Sequence, residues 1–380
     1  MEMRRVYKWL GIFIMLIGLS GCWDLHEIQN IDYITSLGID FSNNQYTVYA
    51  QTLDFSSVAK QESGKPKEPA LIWIGKGQGS TLNIAMNDLY NTAQQRLLWN
   101  HITHIVVSEN ALKRGTKNLF EAVERYREIR FTPWIYGTKE NIEQLLTTPA
   151  FYNLSPLLNI SHEPEENYRQ KSLVQPIRFV HFLADNLEPG RTVILPSLKI
   201  NPKQWTKNQK PDPKLQLDGA FVIHEQKLQG WLDIEHLQGL RWLTSETIRS
   251  PLKITKDGKT VGVLSLEHPK FRITEKLDGG PPSYSILVKL SGNIVELLEQ
   301  TDESLLQKLA EKKVEEEIRS TFINALTIES DIYHLEYDTY LNHYGIWKRI
   351  FQQQGLGITK TSLKEINVKI QLNHSGMLSQ

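Results

Sequence analysis

A single cysteine, Cys22, most limits what this chain can fold into, because no disulfide can form within one molecule. Small domains outside the cytoplasm commonly depend on disulfides when their hydrophobic core is too small. This chain has 380 residues, of which 40% are hydrophobic, and must hold itself together by core burial alone. We therefore expect well-packed domains, two or three at this length.

The residues before Cys22 have the order of a secretory signal peptide. Arg4, Arg5 and Lys8 come first, and an apolar run follows from Trp9 to Leu19. A basic start, an apolar stretch of about ten residues and small residues at the end predict a cleavable signal over 1–21. Roughly twenty apolar residues are needed to cross a bilayer, so a permanent transmembrane helix is the weaker interpretation.

The four residues that end the signal specify a lipid attachment. Leu19-Ser20-Gly21-Cys22 resembles the lipobox of bacterial lipoproteins, in which the cysteine sulfur receives a diacylglyceryl group. Cleavage between Gly21 and Cys22 would make the lipidated cysteine the mature N-terminus. Because one acyl chain alone anchors only marginally, a dually acylated Cys22 is expected to anchor stably.

The mature chain carries little net charge. Without residues 1–21 it has 40 basic and 42 acidic residues, a net charge of about −2. We therefore expect no nucleic acid as a partner and little attraction of the whole chain to anionic lipid.

Apolar spacing predicts alternating strands and helices in the first half of the chain. Strands are predicted near Ile34–Ile39, Tyr46–Leu53, Leu71–Ile74 and His104–Ser108, and helices at Thr81–Leu98, Asn118–Arg130, Asn141–Leu146 and Ile177–Asp185. Residues 201–214 are rich in proline and polar residues, which predicts a linker between domains.

Strands dominate after that segment. They are predicted at Leu215–His224, Lys227–Ile234, Val261–Lys276, Tyr284–Leu298 and over 366–372, with helices from Thr301 or Asp302 to Leu326 and over Asp338–Gln354. The expected organisation is 1–21 signal peptide, 22–200 N-terminal region with room for two subdomains, 201–214 linker and 215–380 C-terminal α+β domain. The predicted fold class is multi-domain α+β or mixed α/β, with mixed sheets flanked by helices.

We find no catalytic or cofactor motif. The glycines of Gly75–Gly79 precede a predicted helix, but Ser80 replaces the third glycine of a dinucleotide loop, and a tight turn explains them better. His101 and His104 lack a third metal ligand. A second loose cluster consists of His334, Asp338 and His343. Ordinary polar residues on the surface of a helix explain it as well as a functional site does. No metal, no cofactor and no catalytic residue are therefore expected.

One aromatic stripe allows two interpretations. Its members recur at spacings of three and four residues: Tyr333, Tyr337, Tyr340, Tyr344 and Trp347. They could line a groove for a partner, but packing into the core is the favoured interpretation.

Several segments together resemble one family in the right order along nearly the whole mature chain. They are Gly21-Cys22-Trp23-Asp24, Glu27-Ile28, Gly38-Ile39-Asp40, the run from Asn100 to Val107, Glu128-Ile129-Arg130, Gly219 to Val222, Lys227 to Leu232, Ile346-Trp347-Lys348 and Val368 to Ile370. The chain resembles the Ger(x)C family of spore germination lipoproteins, the C subunits of nutrient germinant receptors. Ser108 and His26 depart from the pattern expected there, at a glycine and at a basic position.

The resemblance implies a three-domain, mixed α/β, non-enzymatic lipoprotein on the outer face of the spore inner membrane. It implies two integral membrane partner subunits, one channel-like or sensor-like and one transporter-like, in a complex that senses nutrients and starts spore germination. Direct binding of nutrient by this subunit has no support from the residues.

Two other classes of protein share some of these features. A solute-binding lipoprotein of a transporter would have the same lipobox and a similar size. A lipid-tethered enzyme would need a pocket with converging polar groups, which the sequence does not specify.

Overall fold

A computed structural model describes residues 9, 31–53, 71–277, 281–299, 301–354 and 357–373. The predicted signal peptide apart from Trp9, the cleavage position Gly21 and the lipidation site Cys22 lie outside these residues. Within the described part of the chain, no helix has the length and apolar character that a membrane span requires.

The regular elements are sixteen strands and nine α-helices over the described residues. The strands are β1 Ile31–Ser42, β2 Gln45–Leu53, β3 Ile72–Gly79, β4 Arg96–Leu98, β5 His104–Ser108, β6 Trp134–Thr138, β7 Ile177–Arg178, β8 Thr192–Asn201, β9 Thr206–Lys207, β10 Lys210–Pro211, β11 Lys214–His224, β12 Lys227–Asp233, β13 Arg249–Lys256, β14 Lys259–Lys276, β15 Ser283–Leu297 and β16 Leu363–Asn373. The helices are α1 Leu82–Asp88, α2 Glu109–Lys113, α3 Thr116–Glu124, α4 Ile142–Leu146, α5 Glu165–Gln170, α6 Phe179–Leu187, α7 Glu303–Leu326, α8 Leu335–Asn342 and α9 Tyr344–Gln354.

The first sheet is mixed, in the order β12-β11-β8-β6-β5-β1-β2-β3, with β4 beside β1 and β7 beside β6. Its central strands β1, β5, β6 and β8 run parallel, and antiparallel strands flank them on both sides. Helices cover both faces, so the central strands are buried on both sides. In β5, Ile105 and Val107 join the core under α1, α2, α3 and α6, whereas Val106 joins a smaller core under α4.

The second sheet has four strands in the order β13-β14-β15-β16, and only the last pair is parallel. Tyr284, Ile286, Val288 and Leu290 alternate along β15 and face the long helix α7. The Asp302 side chain caps α7 by accepting the Leu305 N–H. The side chains on the face of this sheet opposite α7 are exposed to solvent, as alternation along an antiparallel strand predicts.

Strand β11 joins the two layers. Phe221 and Ile223 pack into the core of the first sheet, and Ala220 and Val222 on the opposite face pack into the core of the second sheet. The two sheets are therefore held together by one strand that is buried on both sides.

Residues 201–214, predicted as a linker, connect two hydrogen-bonded neighbours of the first sheet. Strand β8 pairs with β11 from Asn201–Lys214 to Thr192–His224, and the segment between them carries the short hairpin β9-β10. Divided by sheets, the chain changes layer after Asp233. The division into domains at 201–214 stays a prediction.

The predicted class, multi-domain α+β with mixed sheets flanked by helices, is confirmed. Several element predictions are wrong in extent. The helix expected over Asn118–Arg130 spans Thr116–Glu124, and the one expected over Ile177–Asp185 is strand β7 followed by helix α6. The helix expected over Thr81–Leu98 ends at Asp88, because Arg96–Leu98 leave the helix to pair with β1. The helix expected over Asp338–Gln354 is two helices, broken at His343, whose φ of −142° is not helical.

Candidate functional site

A cleft of about 920 Å³ lies between the two layers of the molecule. The first sheet and α6 supply one wall with His181, Asp185 and Arg191. The other wall comes from Phe271 and Ile273 on β14 and from the start of α8. Its lining combines apolar and ionisable side chains.

Arg191 ties the two walls together. Its Nε lies 2.9 Å from Oδ1 of Asp185 on α6, and its guanidinium carbon lies 4.8 Å from the ring centre of Tyr337 on α8. Burial raises the pKa of Asp185, and the Arg191 charge opposes that rise. Arg191 therefore contacts both α6 and α8.

Two buried carboxyl groups stand behind this wall. Asp331 is 0% exposed and accepts the backbone N–H groups of Tyr333 and Glu336 at 3.2 and 2.7 Å. Glu336 is 2% exposed, and its Oε1 accepts the indole N–H of Trp347 at 3.0 Å. Burial, the larger cause, raises the pKa of each carboxyl to about 7.

Glu336 also faces the first sheet. Its Oε2 lies 3.4 Å from Nε2 of His224 on β11, but the geometry is not that of a hydrogen bond. Gly190, with a φ of +72°, leaves room beside it, since a Cβ there would lie 3.2 Å from Cγ of Glu336. The contact between the layers is therefore built around a carboxyl group that gains or loses its proton near neutral pH.

Thr192, His224 and Glu336 stand in the order of a nucleophile, base and carboxylate. Thr192 Oγ1 lies 3.5 Å from Nδ1 of His224, and His224 Nε2 lies 3.4 Å from Glu336. Both distances exceed the roughly 2.6–3.2 Å of a nucleophile and its base. Glu336 is also only partly ionised at neutral pH, so it would be a poor orienting carboxylate.

The structure separates His101 from His104. His101 packs edge-on against Tyr33 at 4.7 Å, whereas His104 lies beside His162, with 3.4 Å between their Nδ1 atoms. Burial lowers the pKa of His162 to about 3 and holds that of His104 well below its usual value. Both rings are therefore neutral. No cluster of three or more His, Cys, Asp or Glu side chains suited to a metal occurs among the described residues.

The interpretation of His334 as a polar side chain on the exposed surface of a helix is wrong. This residue starts α8 in a left-handed conformation, and its Nδ1 is sealed from solvent without a hydrogen-bond partner. Burial lowers its pKa to about 3. Asp338 lines the cleft, and His343 Nε2 lies 3.5 Å from Glu275.

The aromatic stripe divides between core and surface. Tyr333 and Trp347 are buried, as the core interpretation predicts, but Tyr344 is 55% exposed. Tyr340 lies between them and contacts both Tyr344 and Trp347.

The glycines of Gly75–Gly79 form no turn. They lie within β3, and a Cβ at Gly77 would approach the carbonyl oxygen of Ala85 to 2.1 Å. Their function is to let α1 lie directly on the strand, so the tight-turn interpretation is wrong.

Sequence reasoning missed Asp185 and Arg191, which line the cleft, and the buried group behind its wall, namely His224, Asp331 and Glu336. None belongs to a motif, and burial of the last two depends on contacts between distant parts of the chain. The closest signal was the apolar spacing around them, which predicts a packed element rather than a site.

Comparisons with known proteins decide the family. The model of the spore germination protein N-terminal domain matches residues 24–200, and the spore germination B3/GerAC-like C-terminal model matches residues 218–376. The chain belongs to the Ger(x)C family of spore germination proteins. Members of this family are germinant receptor subunits and are not known enzymes, in agreement with the expectation that this chain is not one.

Relatives and a solved structure cover most of the chain. Spore germination protein B3 of Bacillus subtilis (strain 168) is 24% identical over 374 residues, which are 92% of this chain and 95% of that relative. Spore germination protein KC of the same organism is 24% identical and covers 82% of this chain and 81% of its own length. The crystal structure of the GerBC protein has a TM-score of 0.53 at 17% identity, covering 89% of this chain and 97% of the other, and supports the fold alone.

Proposed function

We propose that this chain is a lipid-anchored, non-enzymatic subunit of a spore nutrient germinant receptor. It is held through a lipid on Cys22 at the outer face of the spore inner membrane. There it acts with two integral membrane subunits, one channel-like and one transporter-like, to start germination when nutrient is sensed.

The observation that carries this proposal is the ordered pair of family matches over residues 24–200 and 218–376. The lipobox from Leu19 to Cys22 supports the anchor, because the sole cysteine lies at the position where lipid is attached. Members of the family are receptor subunits and not known enzymes, which supports a role through binding rather than catalysis.

Anchoring explains how contacts of modest strength can suffice. A subunit confined beside its partners has a high effective concentration, so a weak interface is occupied much of the time. About nine residues separate Cys22 from β1, at most roughly 33 Å when extended, which keeps the folded part near the bilayer.

Deletion of the chain in a sporulating host tests this function. Spores that lack it should respond weakly or not at all to the nutrient of their receptor, and should germinate normally with a trigger that acts downstream of the receptor. Germination is followed as loss of optical density in both conditions, and the wild-type chain supplied from a second locus should restore the nutrient response.

Two results would contradict the receptor assignment. A normal nutrient response in a host without a substituting paralogue would mean that the receptor does not need this chain. Equal failure of both triggers would instead indicate a role in spore assembly or in a later step.

The cleft between the layers favours one alternative function, a solute-binding lipoprotein of a transporter. Its volume of about 920 Å³ suits a small molecule. If that were the function, a solute should bind the purified mature chain and draw the two walls together, which solution scattering would record as a smaller radius of gyration.

A further inference from the structure

The outer face of the second sheet, opposite α7, carries an unusual concentration of positive charge. Lys270 and Arg272 on β14, Lys289 on β15 and Lys369 on β16 are exposed and point outward. The residues that alternate with Lys289 and Lys369 face the core, and Phe271 between Lys270 and Arg272 faces the cleft. We call these four residues the cationic face. No described element covers it.

Strand register brings three of these lysines side by side. Lys270 is directly opposite Lys289, and Lys289 is directly opposite Lys369. Neighbouring strands lie about 4.8 Å apart, so the row spans roughly 10 Å. Like charges directly opposite each other destabilise a sheet, so the row makes no contribution to folding that would explain it.

The cations have no acidic partners of their own. None of the four side chains makes an ion pair or a hydrogen bond with a residue that the structure describes. Glu267 and Glu365 share this face, but they lie in other rows, opposite Ser291 and Ser285. The charge of the row is therefore directed at solvent.

The other outward residues identify the kind of partner. Ser285, Asn367, Ser291 and Gln371 surround the lysines, Leu287 is half-buried, and no aromatic residue points outward on the three strands. Protein interfaces are enriched in aromatic residues and depleted in lysine. An anionic lipid surface attracts lysine and arginine clusters and needs no apolar anchor.

We propose that the cationic face docks on the anionic phospholipid headgroups of a membrane. The net charge of about −2 does not prevent this, because the attraction acts within about 10 Å at 0.1 M salt and depends on the local cluster. The face would fix how a tethered chain is turned toward the bilayer. This goes beyond the proposed receptor function and does not require it.

Vesicle binding tests the proposal without the lipid tether. The full mature chain, residues 22–380 with Cys22→Ala, is sedimented with phosphatidylcholine vesicles that contain either no anionic lipid or 30% phosphatidylglycerol. We expect binding to the anionic vesicles only, and loss of that binding in 0.5 M salt. The triple variant K270Q/K289Q/K369Q should partition roughly a hundredfold more weakly, since each lysine contributes about a fivefold change.

The matched control K113Q/K227Q/K312Q removes the same charge from exposed lysines elsewhere and should bind almost as well as the parent chain. Melting temperatures show that both variants fold, and removal of the lysine row should not lower the value. Equal loss in both triple variants would mean that only net charge matters and would overturn the proposal. So would unchanged binding of K270Q/K289Q/K369Q, or no preference of the parent chain for anionic vesicles. Dependence on the row for capture of an acidic protein, with no vesicle binding, would assign the face to that partner instead.

Discussion

Asp331 and Glu336 occupy sites where an ionised carboxyl group is costly. Asp331 receives two backbone hydrogen bonds that favour its charged form, but burial outweighs them and its pKa rises to about 7. Glu336 receives one indole hydrogen bond and also has a pKa near 7. The contact between the layers is consequently most stable when these two carboxyl groups are protonated.

We predict that Glu336→Gln changes how stability depends on pH. Between pH about 4.5 and 7 the folded state holds a proton on Glu336 that the unfolded state has lost, so this group makes the free energy of unfolding fall as pH rises. Gln has no proton to lose. Between pH 5 and pH 8, the free energy of unfolding of the variant should therefore rise relative to that of wild type by about 3 kcal/mol, as measured by urea unfolding at both pH values.

Glu316→Gln is the control for that measurement, because Glu316 is 54% exposed and only meets Lys312 at 4.0 Å. Its stability should follow the wild type across the same range of pH. If the curves of Glu336→Gln and wild type stay parallel, the raised pKa of Glu336 is wrong.

Single-residue sites were only partly predictable from the sequence. The modification proposed at Cys22 rests on a local and contiguous signal, the lipobox. Asp331 cannot be recognised in this way, because its burial results from the packing of residues far apart in sequence. The enclosed position of His334 was not predicted for the same reason, because a polar residue near the start of a helix is usually exposed.

Elements were predicted well where one face alternates. The alternating apolar residues of β15 and β16 predict both strands. They do not predict the register that brings Lys289 beside Lys369, because strand pairing is a long-range property. Strands β6, β8 and β13 were missed altogether. In β13, Leu252 and Ile254 are buried on either side of Lys253, but Pro251 just before them is a residue that disfavours a strand.

Gly77→Ala should separate α1 from β3. The added Cβ would lie 2.1 Å from the carbonyl oxygen of Ala85, and backbone of a helix cannot turn aside as a side chain can. We expect a loss of about 1–3 kcal/mol in the free energy of unfolding, measured with urea.

Gly345→Ala provides the comparison, because no heavy atom lies within 4 Å of the Cβ that would be added in α9. Alanine favours a helix over glycine by up to about 1 kcal/mol, so this variant should be as stable as wild type or slightly more. Equal stability of Gly77→Ala and wild type would show that α1 does not rest on the strand as described.

At the scale of the molecule, the proposed lipid and the proposed cationic face would contribute separately to how the chain meets a membrane. The lipid proposed at Cys22 supplies holding power, since each buried methylene contributes about 0.8 kcal/mol. The cationic face contributes about 1 kcal/mol per cation and disappears in high salt. The lipid should therefore decide whether the chain stays, and the face should decide its orientation.

Cell fractionation separates these contributions. With Cys22→Ala, we expect most of the protein in the soluble fraction at 0.15 M salt, and the small membrane-bound remainder should be released by 0.5 M salt. Addition of K270Q/K289Q/K369Q to Cys22→Ala should remove that remainder, whereas the same triple substitution with Cys22 intact should leave the protein on the membrane. Retention of Cys22→Ala in 0.5 M salt would mean that some other segment anchors the chain. Release of the lipidated protein by the triple substitution alone would assign the holding power to the sheet, because a stable lipid anchor cannot depend on three surface charges.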